Sequence, residues 1–225
     1  MNAVTTAALT TLLPETSSTC PIEEALSHRD VGKLRNHYDE WAPYYDTDVK
    51  AEAYCGPSMI VDLLNAVAPQ VDVHHDSRII DACCGTGLVG RALQERGYRQ
   101  LSGCDLSQVM VEQARATQAY QRLYGEIDLT LPLPSHLLQR FDAVLCCGAF
   151  IPGHLPASAL RGLVAMTRPG GVVVVSIREV YYKTDHFEDL IQTLIRENGL
   201  SVLEKQKSAR YLQSARAHYL AFKVQ

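Results

Sequence analysis

Lysine and arginine never gather into a basic stripe in this chain of 225 residues, where 21 Lys and Arg stand against 25 Asp and Glu for a formal charge of −4. Phosphate neutralisation supplies most of a protein's affinity for DNA or RNA, so this scarcity excludes nucleic acid as the expected partner. Residues 1 to 19 carry neither a cationic start nor a sustained apolar stretch and do not read as a secretory signal. No window approaches a membrane span. The cysteines are odd in number, seven, and include the adjacent pairs Cys83-Cys84 and Cys146-Cys147, which is no disulfide framework. A reducing, cytoplasmic setting is the expectation. There is no internal repeat and no sign of a second domain, and a chain of this length buries one good α/β core.

What is present concentrates in two short segments. Residues 79 to 87 run Ile-Ile-Asp-Ala-Cys-Cys-Gly-Thr-Gly, an apolar strand that stops at a small-residue turn and leads into a helical pattern. Gly85 and Gly87 let the chain turn sharply and leave bare backbone for a ligand to approach. Past the turn, Gly103-Cys104-Asp105-Leu106-Ser107 ends a second strand with a carboxylate. In doubly wound folds an acid about 20 residues beyond the glycine turn accepts hydrogen bonds from ribose hydroxyls, and Asp105 fits that role. No Gly-x-x-x-x-Gly-Lys-Ser/Thr phosphate loop exists. The register Gly85, Gly87, Gly90 does read Gly-x-Gly-x-x-Gly, a weak dinucleotide signal alone. Asp81 points elsewhere, because a carboxylate at the turn repels a pyrophosphate and suits a cationic ligand.

The surrounding pattern alternates strand and helix, the signature of a parallel sheet. Strands are predicted at Arg78 to Cys83, Gln100 to Asp105, Arg122 to Glu126, Ala143 to Cys147 and Gly171 to Ile177, with helices at 87–96, 108–118, 156–166 and 186–198. Leu200 to Lys207 and His218 to Val224 follow as antiparallel neighbours. Ahead of the sheet, 1–20 reads as a flexible arm and 21–56 as a helical cap, with helices at Ser27 to His37 and Tyr38 to Asp48. Met59, Ile60, Leu63, Leu64 and Val67 repeat at three and four and predict a further helix from Pro57 to Val67.

Asp81-Ala82-Cys83-Cys84-Gly85-Thr86-Gly87 resembles the first motif of class I S-adenosylmethionine (SAM) methyltransferases, and Gly103-Cys104-Asp105-Leu106-Ser107 their acidic loop. Phe141-Asp142-Ala143-Val144 and Arg168-Pro169-Gly170-Gly171 are similar to the family's fourth strand and the turn before its fifth. Within the family, His37 to Asp46 and Cys84 to Val89 resemble the methyltransferase-like proteins named after the Williams–Beuren region. The resemblance implies a Rossmann-like doubly wound sheet of seven strands with one antiparallel strand near the edge, and 21–225 as a single domain. It also implies SAM as cofactor, leaving as S-adenosylhomocysteine. Backbone near Cys83, Gly85, Thr86 and Gly87 would hold the methionine part, Asp105 the ribose, Leu106 the adenine face, and Asp128 with Leu129 the adenine amino edge. Cys147 and Gly148 close the crevice beyond the fourth strand, and Tyr38 and Tyr45 face it from the cap.

Methyl transfer asks mainly for alignment of donor and acceptor, and for a base only where the acceptor is protonated. His154, His37 and Tyr38 are the candidates for that duty. Trp41, Phe150, Arg178 and Tyr181 are candidates to line the acceptor side, Arg178 by orienting a charged substrate. Each has a structural competitor: His154 as a solvated loop residue, Trp41 and the cap tyrosines as a packing face, Arg178 and Tyr181 as an ordinary loop. The cysteine pairs lack the Pro-Cys context of RNA cytosine methylation and fit zinc poorly, so no metal is expected. The expected function is methyl transfer to a small-molecule acceptor. A protein acceptor, or a member that binds SAM without transferring methyl, remain the alternatives.

Overall fold

The computed structural model describes residues 25–26, 30–197 and 199–225. The expected N-terminal arm, and the cap residues 21–24 and 27–29, lie outside them. Among the described residues the cap comprises α1 (Val31–Trp41) and α2 (Tyr45–Ala51), broken at Ala42 to Tyr44 and not at His37 as the sequence pattern predicts. Pro43 supplies the reason: Ala42 keeps helical angles, but Pro43 has no N–H to donate to the Asp39 carbonyl and the hydrogen-bond ladder stops. The Asp30 side chain caps α1 by accepting the Lys33 N–H at 2.9 Å. Next comes α3 (Gly56–Val67), with Pro57 in its first turn and Ile60, Leu63 and Leu64 wholly buried.

The chain then alternates through β1 (Arg78–Ala82), α4 (Leu88–Glu95), β2 (Gln100–Cys104), α5 (Gln108–Ala116), β3 (Arg122–Tyr124), β4 (Phe141–Phe150), α6 (Leu160–Met166) and β5 (Thr167–Arg178). It finishes with α7 (Glu179–Thr184), α8 (Phe187–Arg196), β6 (Leu200–Arg210) and β7 (Arg216–Val224). These strands form one sheet in the order β3-β2-β1-β4-β5-β7-β6. Only β7 is reversed, antiparallel to both β5 and β6, so the expected seven-stranded Rossmann-like sheet is what forms.

Alternation along the strands divides the core. Ile80, Val144, Val173 and Val175 face one layer with Leu160, Leu163 and Phe187, whereas Ile79, Leu145, Val172 and Val174 face the other with Ile60, Leu64 and Leu93. Val172 to Val175 are all fully buried, as both-faces-covered strands require, and each such side chain contributes ~1.5–3 kcal/mol.

Two strands depart from the sequence reading. β5 starts at Thr167, so Arg168-Pro169-Gly170-Gly171 is an irregularity within a strand and not a turn before one. Asp142 stabilises it by accepting from Arg168 Nε and from the Arg78 N–H at 2.6 Å. Burial works against ionisation of Asp142, yet these donors hold its carboxyl below the ordinary range. β4 runs to Phe150, and between the pairs Cys146↔Val175 and Phe150↔Ile177 it bulges. That bulge puts Cys147, Gly148 and Ala149 outside the regular ladder, at the carboxyl end of the sheet. We expect Asp142→Ala to lower stability by ~1–2 kcal/mol in chemical denaturation, since it strips two donors of a charge-assisted acceptor; an unchanged midpoint would show that this junction holds nothing together.

Candidate functional site

Strand order reverses between β1 and β4, and ligands of open α/β sheets bind beyond such a reversal. A cavity of ≈ 110 Å³ lies there, walled by Gly85, Asp105, Leu106, Asp128, Cys147 and Gly148, with Tyr38, Tyr45 and His154 closing it. Asp105 joins the two strand ends: its Oδ2 accepts the Gly85 N–H at 2.8 Å and its Oδ1 the Ser107 N–H at 2.9 Å. Burial raises its pKa, against the lowering effect of those N–H donors. Gly85 (φ +51°) has open space where a Cβ would stand, which leaves the backbone accessible. Ser107 caps α5 by accepting the Met110 N–H at 2.9 Å, and Met110 and Leu106 give the cavity an apolar face.

Asp81 is 1 % exposed. Its Oδ2 accepts the Tyr120 hydroxyl at 2.6 Å, while its Oδ1 has no partner among the described residues. Desolvation, offset by the Tyr120 bond and reinforced by Asp105, pushes its pKa up to about 7. The Tyr120 hydroxyl also accepts the Gly90 N–H at 3.0 Å, and a Cβ on Gly90 would stand 2.2 Å from the tyrosine ring. The third glycine of the Gly-x-Gly-x-x-Gly register therefore makes room for Tyr120. An unpartnered carboxylate oxygen behind the glycine turn fits a cationic ligand and not a pyrophosphate.

The cap is fastened by its own carboxylates. Ser107 Oγ donates to Asp39 at 2.5 Å and Thr86 Oγ1 to Asp46 at 2.5 Å, while Trp41 Nε1 donates to Asp48 at 2.7 Å. Tyr38 and His154 meet across the mouth at 2.7 Å. The His154 Nδ1 lies 3.1 Å from the carbonyl of Pro152, which can only accept, so in the neutral ring Nδ1 carries the proton. Nε2 then accepts from Tyr38, whose pKa burial raises.

A second compartment of ≈ 40 Å³ shares Tyr38, Tyr45 and Gly148 with the first and continues to Trp41, Tyr54, Tyr211 and Arg178.

Several predicted site residues stand elsewhere. Leu129 and Phe150 are core residues, 5 % and 0 % exposed, and Phe150 meets Phe187 edge to face. Their positions in the chain adjoin the crevice, but Phe150 at the end of β4 and Leu129 in the turn beyond β3 are both buried in the core layer that holds Leu160 and Phe187. Thr86 faces a neighbouring polar cavity with Asp46 and Arg91, and Gly87 (φ +94°) is the N-cap of α4. Tyr181 belongs to α7, where the sequence reads as a loop, and its hydroxyl donates to the Leu155 carbonyl at 2.9 Å. His37 rests against the Tyr38 and Trp41 rings. Cys83 lines the main cavity, its thiol pKa raised by a hydrogen bond with Cys146 and by burial. Asp39, Met110, Tyr120 and Tyr211 were not foreseen, and only Gly90 offered a signal, for Tyr120.

Known proteins agree with this architecture. A family model described as a methyltransferase domain matches residues 79–171. Methyltransferase-like protein 27 of Homo sapiens is 40% identical over 167 residues, covering 74% of this chain and 66% of that protein. Glycine N-methyltransferase of Rattus norvegicus is 28% identical over 159 residues, 56% of this chain and 54% of its own length. Among solved structures, magnesium protoporphyrin IX methyltransferase from Synechocystis with bound S-adenosylhomocysteine superposes with a TM-score of 0.61 at 18% identity, covering 87% of this chain and 99% of that one. Fold and site thus define a class I, Rossmann-like methyltransferase domain. The chain belongs to the SAM-dependent methyltransferase family, on the side of its methyltransferase-like members from the Williams–Beuren region. It spans about two thirds of the first of these relatives and about half of the second.

Tyr120→Phe removes the one side-chain donor to Asp81 among the described residues. Protonated Asp81 stabilises the fold fully below its unfolded pKa of about 3.9, and that contribution is lost as pH rises through about 7. The variant is therefore expected to lose ~1–3 kcal/mol, with the larger deficit at pH 8 than at pH 6, measured by denaturation of the ligand-free protein. Equal deficits at both values would separate Tyr120 from Asp81.

Proposed function

We propose that the chain moves a methyl group from SAM to a small-molecule acceptor. The single observation that carries this reading is the charge of the crevice: Asp105 and Asp128 line it, Asp81 sits behind it with one carboxylate oxygen unpartnered among the described residues, and Arg35 is the one cationic side chain among the described lining residues. Such walls attract a ligand bearing ammonium and sulfonium charge. Bound there, SAM would supply an electrophilic methyl carbon open to in-line displacement.

The chain's own residues then divide the work. Bare backbone at Cys83 and Gly85 accommodates the methionine portion, and Asp81 counters its positive charge. Asp105 keeps lone pairs free for ribose hydroxyls, and Leu106 with Met110 presents an apolar surface to adenine. Asp128 already accepts the Thr130 N–H at 2.8 Å and hydroxyl at 2.6 Å, and its remaining oxygen is available to the adenine amino group. On the acceptor side Tyr38 and Tyr45 hold the boundary between the compartments. A hydroxyl or amine losing its proton passes it through the Tyr38 hydroxyl to His154 Nε2, the ring nitrogen that accepts that hydroxyl's hydrogen bond. The clasped aromatic cap supports a small acceptor over a polypeptide, which would need an open groove. Free cysteines at six described positions suit a reducing, cytoplasmic home, and no helix among the described residues is long and apolar enough to cross a membrane.

Two variants separate binding from chemistry. Asp105→Ala is expected to weaken SAM by at least ~1.5 kcal/mol, about tenfold, in calorimetry. His154→Ala should lower kcat by roughly a hundredfold with little change in SAM affinity. If both variants behave as wild type, the crevice is not where this protein works.

A further inference from the structure

The smaller compartment has chemistry of its own. Tyr38, Trp41, Tyr45, Tyr54 and Tyr211 wall it, and Arg178 is the one charged side chain among its described lining residues. The Arg178 guanidinium lies 5.5 Å from the centre of the Tyr211 ring. No carboxylate among the described residues forms an ion pair with it. Glu179, next to Arg178 in the chain, pairs instead with Lys183 and accepts the Ser208 hydroxyl at 3.0 Å, and Asp48 is engaged by the Trp41 indole. A half-buried cation among aromatic rings with no counter-ion calls for an anionic ligand, and its planar fork matches a carboxylate. A cationic amine or a lysine side chain would meet like charge there. The free space, ≈ 40 Å³, holds on the order of three water-sized spheres, which suits a compact acid.

We propose that the methyl acceptor is a small carboxylic acid, its carboxylate held by Arg178, its body against Trp41 and Tyr211, and its hydroxyl or amino nucleophile at Tyr38. This rests on the methyl-transfer reading and narrows it. Tyr38 belongs, with Tyr45 and Gly148, to the wall shared with the larger compartment, so an acid anchored at Arg178 presents its other end towards the site assigned to SAM. Arg178 thereby decides which acceptors enter, and Tyr38 and His154 decide whether they react.

The chain has one tryptophan, and it stands in this wall, so its fluorescence reports occupancy directly. Protein saturated with S-adenosylhomocysteine would be titrated with salicylate, 4-hydroxybenzoate, anthranilate, glycine and β-alanine, each beside its carboxamide. At least one acid is expected to give a saturable change in Trp41 emission with the matching amide at least about tenfold weaker. Arg178→Gln should erase that preference while S-adenosylhomocysteine affinity stays within about twofold, and Arg178→Lys should restore part of it. Acids no better than their amides, or an Arg178→Gln protein that keeps the preference, would overturn the proposal. Failure of S-adenosylhomocysteine itself to bind would instead strike at the methyl-transfer reading, and the two failures are told apart by titrating it alone first.

Discussion

One carboxylate holds the site in shape. Asp105 leaves the end of β2 and accepts backbone N–H groups from Gly85, in the turn after β1, and from Ser107, at the start of α5. Two strand ends and a helix start are thus fixed to one another by charge-assisted hydrogen bonds, worth roughly 1.5–3 kcal/mol each. The Ser107 hydroxyl then reaches the cap through Asp39, and the Thr86 hydroxyl does the same through Asp46. The lid over the crevice is therefore fastened to the residues that form its floor. Because carboxylates on the cap meet hydroxyls in the turns beyond β1 and β2, the contact can open without stranding a charge in apolar surroundings.

Much of this was legible in the chain. The apolar run into Gly85 and Gly87, the acid at 105 and the strand-helix alternation fixed the sheet, the crevice and the charge of its floor, because each is a local device with a fixed spacing. The cap broke at Pro43 and not at His37, since helical spacing through Tyr38 and Trp41 masked the constraint of one proline. Phe150 and Leu129 illustrate the limit of reading position alone: both adjoin the crevice in sequence, yet their side chains point into the core. Tyr120 was invisible for another reason. It comes from the loop before β3, outside any motif, and only the absence of a side chain at Gly90 hinted that something must lie there. Tyr211 arrives from the end of β6, and tertiary placement of that kind has no local signature.

The β4 bulge ties fold to chemistry. By lifting residues 147–149 out of the ladder it sets Gly148 at the boundary between the two compartments, with the Gly148 N–H given to Ser176 at 2.9 Å. The larger compartment is acidic and open to bare backbone, whereas the smaller is aromatic with a guanidinium in its wall. Opposite charge preferences on either side of Tyr38 and Tyr45 would keep the two ligands in their own places.

The central claim is that the acidic crevice binds SAM, and calorimetric titration of the ligand-free protein with SAM, beside a nicotinamide dinucleotide, tests it most directly. With Asp81 half-protonated near pH 7, a cationic ligand pulls its pKa down. The account predicts micromolar SAM binding with proton release near neutrality, affinity that rises from pH 6 to pH 8, and no binding of the dinucleotide. Absence of SAM binding, or preferential binding of the dinucleotide, would contradict it.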